Sequence, residues 1–308
     1  MKLQSFGAIL FAIALAGVIY GLLNILDAQK HLNELDLPLA LLSALLYLSS
    51  IALWNLSWGK FIKLGGNDSI LMGFAAQLGG LTPFSLGADF LRGYFAKKAG
   101  KKFGEGMAAS FAAKFHKIWI ALVFSSIGIG VILLSQTYFR SSFLLGIGVP
   151  IIMLAGVILL TKNHAAMAIS GISLEKISKK DARDFSYMLK VYIKNPQKAI
   201  LGMLAASLAL EFASFYLAFA SFGLFLDISS AYLVFILLFF ASKALFVPQG
   251  IGVTEIVGII ILGNTAPLSL IAAGMLLWNI VRIWIPTIIA GAASLALGKR
   301  YAIGESGN

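Results

Sequence analysis

The chain has 308 residues, of which 59% are apolar and 12% charged, and its mean hydropathy is +0.92. Soluble domains carry about 25% charged residues, so a soluble reading is set aside and a polytopic membrane protein remains. The lack of cysteine excludes disulfides and thiolate chemistry, three scattered histidines offer no metal cluster, and the formal charge of +11 reads as positive-inside bias rather than nucleic-acid binding.

Apolar runs long enough to cross a membrane occur at about 4–26, 38–58, 105–135, 141–161, 197–223 and 267–297. The first lacks a small-residue cleavage site and is read as a retained helix rather than a signal peptide. Two further stretches, 69–81 and 229–246, run into proline-glycine breaks, Thr82-Pro83-Phe84-Ser85-Leu86-Gly87 and Val247-Pro248-Gln249-Gly250-Ile251-Gly252. Residues 69–80 would rise only ~18 Å as a helix, about half the hydrocarbon core, so each unit reads as a re-entrant hairpin; a kinked full span is the alternative.

The breaks belong to an internal repeat. Adding 165 to a residue number carries Pro83 to Pro248, Gly87 to Gly252, Lys117 to Arg282 and Trp119 to Trp284, and places 38–58 on 203–223. The expected architecture is therefore an all-α polytopic membrane protein of about six full transmembrane helices plus two re-entrant broken-helix hairpins in an inverted repeat. It forms one transmembrane domain over 1–308, with repeat 1 at about 38–135, repeat 2 at about 197–297 and a cytoplasmic amphipathic loop at 162–196. With both termini cytoplasmic in the cell membrane, eighteen of the 24 Lys and Arg residues, Arg92 among them, fall on the inner side and two outside.

Lys114, Lys117, Lys243, Arg282, Asp89, Glu211 and Glu255 fall within apolar segments. A charge at a helix centre costs ~2.5–3.5 kcal/mol on insertion scales, so such residues face a cavity or a partner. Lys117 lies ~18 Å from the start of its span at Glu105, and Arg282 ~22 Å from Pro267, both near mid-bilayer. Two readings stand side by side: structural pairing, Lys117 with Asp89 or Arg282 with Glu255, and substrate binding. After each break a helix restarts, near Ser85–Leu86 and near Gly252–Thr254. Its free N–H groups and positive dipole end favour an anion. Ser85 and Thr254 suit as caps, and Gly87, Gly250 and Gly252 let a ligand approach the backbone. Two such helix starts with Lys117 and Arg282 describe a phosphate site.

Less specific features are a basic aromatic stripe at 95–103 and an amphipathic helix at 172–193 with Ile177, Phe185, Met188, Leu189 and Tyr192 on one side. Both suit anionic membrane lipids, beside ordinary positive-inside anchoring. His116 reads as a packed core histidine, and Trp54, Trp58, Trp119, Trp278 and Trp284 include interface anchors.

The motifs Thr82-Pro83-x-x-x-Gly87-x-Asp89-x-x-Arg92 and Pro248-x-Gly250-x-Gly252-x-x-Glu255, followed by Lys117 and Arg282, resemble the flippase-like transmembrane family, also called the lysylphosphatidylglycerol synthase transmembrane region. The stretch is similar to the amino-terminal half of bacterial multiple peptide resistance factors. The resemblance implies translocation of a polar lipid, such as an aminoacylated phosphatidylglycerol or a polyprenyl-phosphate lipid. A chain ending at 308 leaves no room for a soluble aminoacyl-transferase domain, so lipid synthesis is not expected of it. The expected substrate-binding set is Lys117, Arg282, Ser85, Gly87, Asp89, Arg92, Lys114, Gly250, Gly252, Thr254 and Glu255, with Glu211 and Glu255 as candidates for proton coupling. No P-loop, cofactor or metal is expected, and the main reading is not an enzyme. Two alternatives stay open: an intramembrane lipid-modifying enzyme with Asp89 or Glu255 as general base, and a membrane partner of a separate lipid synthase or glycosyltransferase. A homodimer is compatible with each.

Overall fold

The computed structural model describes residues 29–81, 86–134, 179–242, 253–263 and 266–305. Two of the six expected spans, 4–26 and 141–161, lie outside the described residues. The other four are helices long and apolar enough to cross a membrane: Leu37–Phe61, Phe103–Ser126, Lys198–Ala220 and Leu268–Gly298. No strand occurs among the described residues. The protein is a multi-pass helical membrane protein.

Helix α1 (Leu37–Phe61) starts where Asp36 caps it, the carboxylate accepting from the Leu39 N–H at 3.1 Å with a proline in the first turn. It stops at Lys63, whose left-handed φ of 54° turns the chain out of the helix. Helix α2 (Gly66–Ala76) tightens into a 3-10 segment, Gln77–Leu81, before the first break, and α3 (Leu86–Lys98) returns after it. The long helix α4 (Phe103–Leu134) follows, then α5 (Lys179–Lys194) and α6 (Lys198–Ala220). In the second half α7 (Ile228–Ala241) leads to the second break and α8 (Val253–Leu262) leaves it. Asp227 caps α7, and the Ser229 hydroxyl, ahead of the Ser230 N–H, holds its carboxyl below the usual range. The last span is α9 (Leu268–Asn279), a π-helical turn at Ile280–Trp284, and α10 (Ile285–Glu305).

Spans α1 and α6 pack through paired hydroxyls. Ser43 and Ser214 stand 3.1 Å apart, each also donating to the other's carbonyl, and Ser50 and Ser207 stand 3.0 Å apart. The partner's number falls as the first rises, so the two helices run antiparallel. Small hydroxyl residues suit such a seam: backbones approach closely and the polar groups satisfy each other away from water. The hairpin arms cross over, α2 lying on α10 and α7 on α4. Within the first hairpin the arms touch at backbone level. A Cβ on Gly79 would stand 2.2 Å from the Gly87 carbonyl carbon, so glycine is required there. Gly87, expected to admit a ligand, instead faces Gly79.

The amphipathic helix starts at Lys179, with Ile177 outside the described residues. Its apolar side meets protein, which corrects the reading of a helix lying on lipid. The α4 backbone at Gly104 meets the Asp181 carbonyl and the Phe185 N–H, Phe185 packs edge-on against Phe111 at 5.5 Å, and Tyr192 rests on Phe61 at 4.9 Å. Tyr192 also donates to Glu105 at 3.1 Å; burial, with that carboxylate next, raises its phenol. Lys180, Arg183, Lys190 and Lys194 remain exposed. His116 is buried, its Nε2 3.1 Å from the Tyr192 carbonyl, as a packed core histidine should be. The tryptophans divide: Trp58 and Trp278 are buried, Trp54 is half-buried, and Trp119 and Trp284 face outward.

Candidate functional site

Between α1, the two hairpins, α4, α6 and the π turn lies a cavity of about 180 Å3. Lys114, Lys117 and Arg282 reach it, with Glu211 as the acidic side chain on its wall and Tyr47, Trp54 and Trp278 among its aromatics.

Each cation is held differently. Lys117, 8% exposed, donates to Glu211 at 2.7 Å and to the Ser207 hydroxyl at 2.9 Å. Ser50 donates to the same Glu211 oxygen at 3.1 Å. Three helices thus meet in one polar cluster at the α1–α6 seam. Such a buried pair needs its surrounding hydrogen bonds to offset the loss of hydration, and the two serines supply them. Lys114, one turn earlier on α4, binds Asp89 at 2.5 Å, and Ser110 donates to the other Asp89 oxygen at 2.6 Å. Asp89 is fully buried and does not line the cavity. Arg282 sits in the π turn, its Nη2 donating to Asn279 at 3.0 Å and to the buried Thr254 hydroxyl at 3.3 Å.

The expected pairing of Lys117 with Asp89 is therefore replaced: Asp89 takes Lys114, and Lys117 takes Glu211. Geometry explains the exchange, since positions three apart on a helix share a face but point to different depths. Arg92, expected among the substrate-binding residues, is fully buried and is not among the residues that line the cavity. Its guanidinium lies 4.0 Å over the Trp54 ring and its Nη2 donates to Asn55 at 3.2 Å. Stacking of this kind stabilises a desolvated arginine by about 2 kcal/mol. Helix restarts fall at Leu86 and Val253, close to the expected positions. Ser85, Gly250, Gly252 and Lys243 lie outside the described residues, and Glu255 sits in the first turn of α8. Tyr47, Trp54 and Trp278 had no signal as wall residues. In sequence they are aromatics within apolar spans, as lipid-facing rings are.

A multi-pass helical membrane protein with a cationic cavity enclosed among its spans is the class that fold and site define. The chain belongs to the lysylphosphatidylglycerol synthase TM region family, whose pattern matches residues 6–290. It is accordingly a membrane protein of lipid-related type. Comparisons with curated proteins and with solved structures gave no match.

Proposed function

We propose that this protein moves a lipid with an anionic, phosphate-bearing headgroup between leaflets, as a flippase or scramblase. The observation that carries the reading is that Lys117 and Arg282, related by the 165-residue offset, line one cavity. Among the described residues three cations and one carboxylate line that cavity, a wall that attracts phosphate, and low surrounding dielectric strengthens the attraction. Glu211 already occupies Lys117, so the headgroup competes with it. Glu211, bonded to that lysine, is the candidate for proton coupling.

An inverted repeat is part of this reading. Helices α1 and α6, equivalent under the offset, run antiparallel, and the first arm of each hairpin, α2 and α7, packs on the last span of the other half, as is expected of a two-fold axis in the membrane plane. Both termini are then cytoplasmic and the two hairpins enter from opposite faces. A cysteine at Asp227 is expected to label from outside and cysteines at Lys101 and Lys180 only from the cytoplasm; labelling of 101 and 227 from one side ends the inverted reading. Asp89, one of the two bases, with Glu255, that an enzymatic reading would use, has both oxygens engaged by Ser110 and Lys114.

Flip rate in liposomes, normalised to folded protein, tests the proposal. Arg282→Gln should cut translocation about tenfold or more, the loss of one charge-assisted bond worth ~1.5–3 kcal/mol. Arg282→Lys should recover part of it, since lysine cannot grip phosphate with two parallel bonds. Normal flipping by a folded Lys117→Gln, Arg282→Gln double variant would overturn the site.

A further inference from the structure

A second recess lies on the outer surface of the described residues, between α2 and α10. It holds about 480 Å3 and is lined by Asn67, Ile70, Leu71, Phe74, Ile289 and the alanines of α10 at 292, 293 and 296. Asn67 apart, the lining is apolar. Its place relative to the cavity is the informative feature. On α2 the recess ends at Phe74, and the cavity begins one turn later at Gln77; on α10 it ends at Ile289, and the cavity begins at Thr287. The groove and the cavity therefore abut along the same two helices. At its far end the Asp68–Arg300 ion pair, 2.6 Å long, closes the seam. From Asp68 to Gln77 is nine residues, ~14 Å of helix.

The repeat has a second seam of the same kind, between α7 and α4. The 165-residue offset carries Asn67, Ile70 and Phe74 to Tyr232, Phe235 and Phe239. On α7 Tyr232 and Phe235 pack on Phe212 of α6 at 5.5 Å each, and Phe239 belongs to the same buried core as Leu122 of α4.

We infer that the α2–α10 groove holds an acyl or prenyl chain of the same lipid whose phosphate headgroup occupies the Lys117–Arg282 cavity, so that α2–α10 is the lateral entry. This rests on the function proposed above. Chemistry supports the division: a cationic cavity for the head joins an apolar trough for the tail, and each chain methylene placed there gains about the transfer free energy of ~0.8 kcal/mol. A head fixed in the cavity leaves the tail this continuous apolar route out.

Benzoylphenylalanine at Ala296 tests it, in the full chain, in phosphatidylcholine vesicles doped with a minor fraction of phosphatidylglycerol or, in a second arm, of a polyprenyl phosphate. Crosslinking enriched in one anionic lipid over its bulk fraction, and lost in the Lys117→Gln, Arg282→Gln variant, is expected; the enriched arm names the lipid class. Enrichment that survives that variant makes the groove an unconnected lipid contact and overturns the inference. Equally fatal are crosslinking in bulk proportion and a crosslink to the protein's own chain. Ala292→Trp, on the exposed side of the groove, should slow flipping about tenfold by displacing about two methylenes with an unchanged thermal melt. An unchanged flip rate overturns the inference as well. If the double variant stops flipping while no enrichment occurs at 296, the headgroup site stands and the groove alone fails; if it flips normally, the function itself fails.

Discussion

Lys117→Met is expected to lower the stability of the helical bundle by about 3–5 kcal/mol, because it leaves the Glu211 carboxylate buried without its cation. Both side chains are largely shielded, 9% and 15% exposed, and the carboxylate keeps only the Ser50 hydroxyl from this cluster. Removing the charge and its partner together is a different matter. Lys117→Met with Glu211→Leu replaces an ion pair by apolar volume, which is often neutral or stabilising. The double variant should therefore melt near the unaltered protein, yet translocate no better than the single one. Thermal melts in detergent read the first effect and liposome flipping the second. A single variant that melts like the unaltered protein would show that the pair holds nothing together.

Gly79→Val should cost about 3 kcal/mol, at the upper end of overpacking penalties. The atoms that its Cβ would strike, 2.2 Å and 2.4 Å away, are Gly87 and Ala88 backbone, which no rotamer change moves aside. Gly66→Ala is the control: its Cβ meets only the Leu56 side chain at 3.6 Å, an ordinary contact. Alanine there should leave the melt within about 0.5 kcal/mol. Equal melting of Gly79→Val and the unaltered protein would mean that the hairpin arms do not touch as described.

How far these features were legible follows from the physics of each. Spans and breaks could be read because membrane helices must be long and apolar, and proline with glycine must interrupt them. Lys117 and Arg282 stood out because a charge within an apolar run needs a reason, and the offset linked them. Partner choice was hidden. Whether Asp89 meets Lys114 or Lys117 depends on how α3 leans on α4, a matter of packing that residue spacing does not fix. The surroundings of Arg92 were hidden for a related reason: near a helix end a cation reads as a topology signal, and only the closeness of Trp54 and Asn55 shows that its side chain points inward. The amphipathic pattern of α5 was right as a helix with one apolar side. Periodicity says that such a side is covered, but not whether by lipid or by α4.

The π turn at Ile280–Trp284 gives the last span a torsional joint. A π turn carries one surplus residue relative to α-helical geometry, and an α-helix advances about 100° per residue. If the turn tightened, α10 would rotate by that angle about its own axis, and each position would pass to the residue one earlier in sequence. Leu295 would then stand where Ala296 does, and Gly291 where Ala292 does. The open trough would gain an isobutyl group at its mouth while Arg282, inside the joint itself, changed its reach. One local tightening would thus couple the grip of a cation to the width of a passage several turns away, without any hinge between rigid halves.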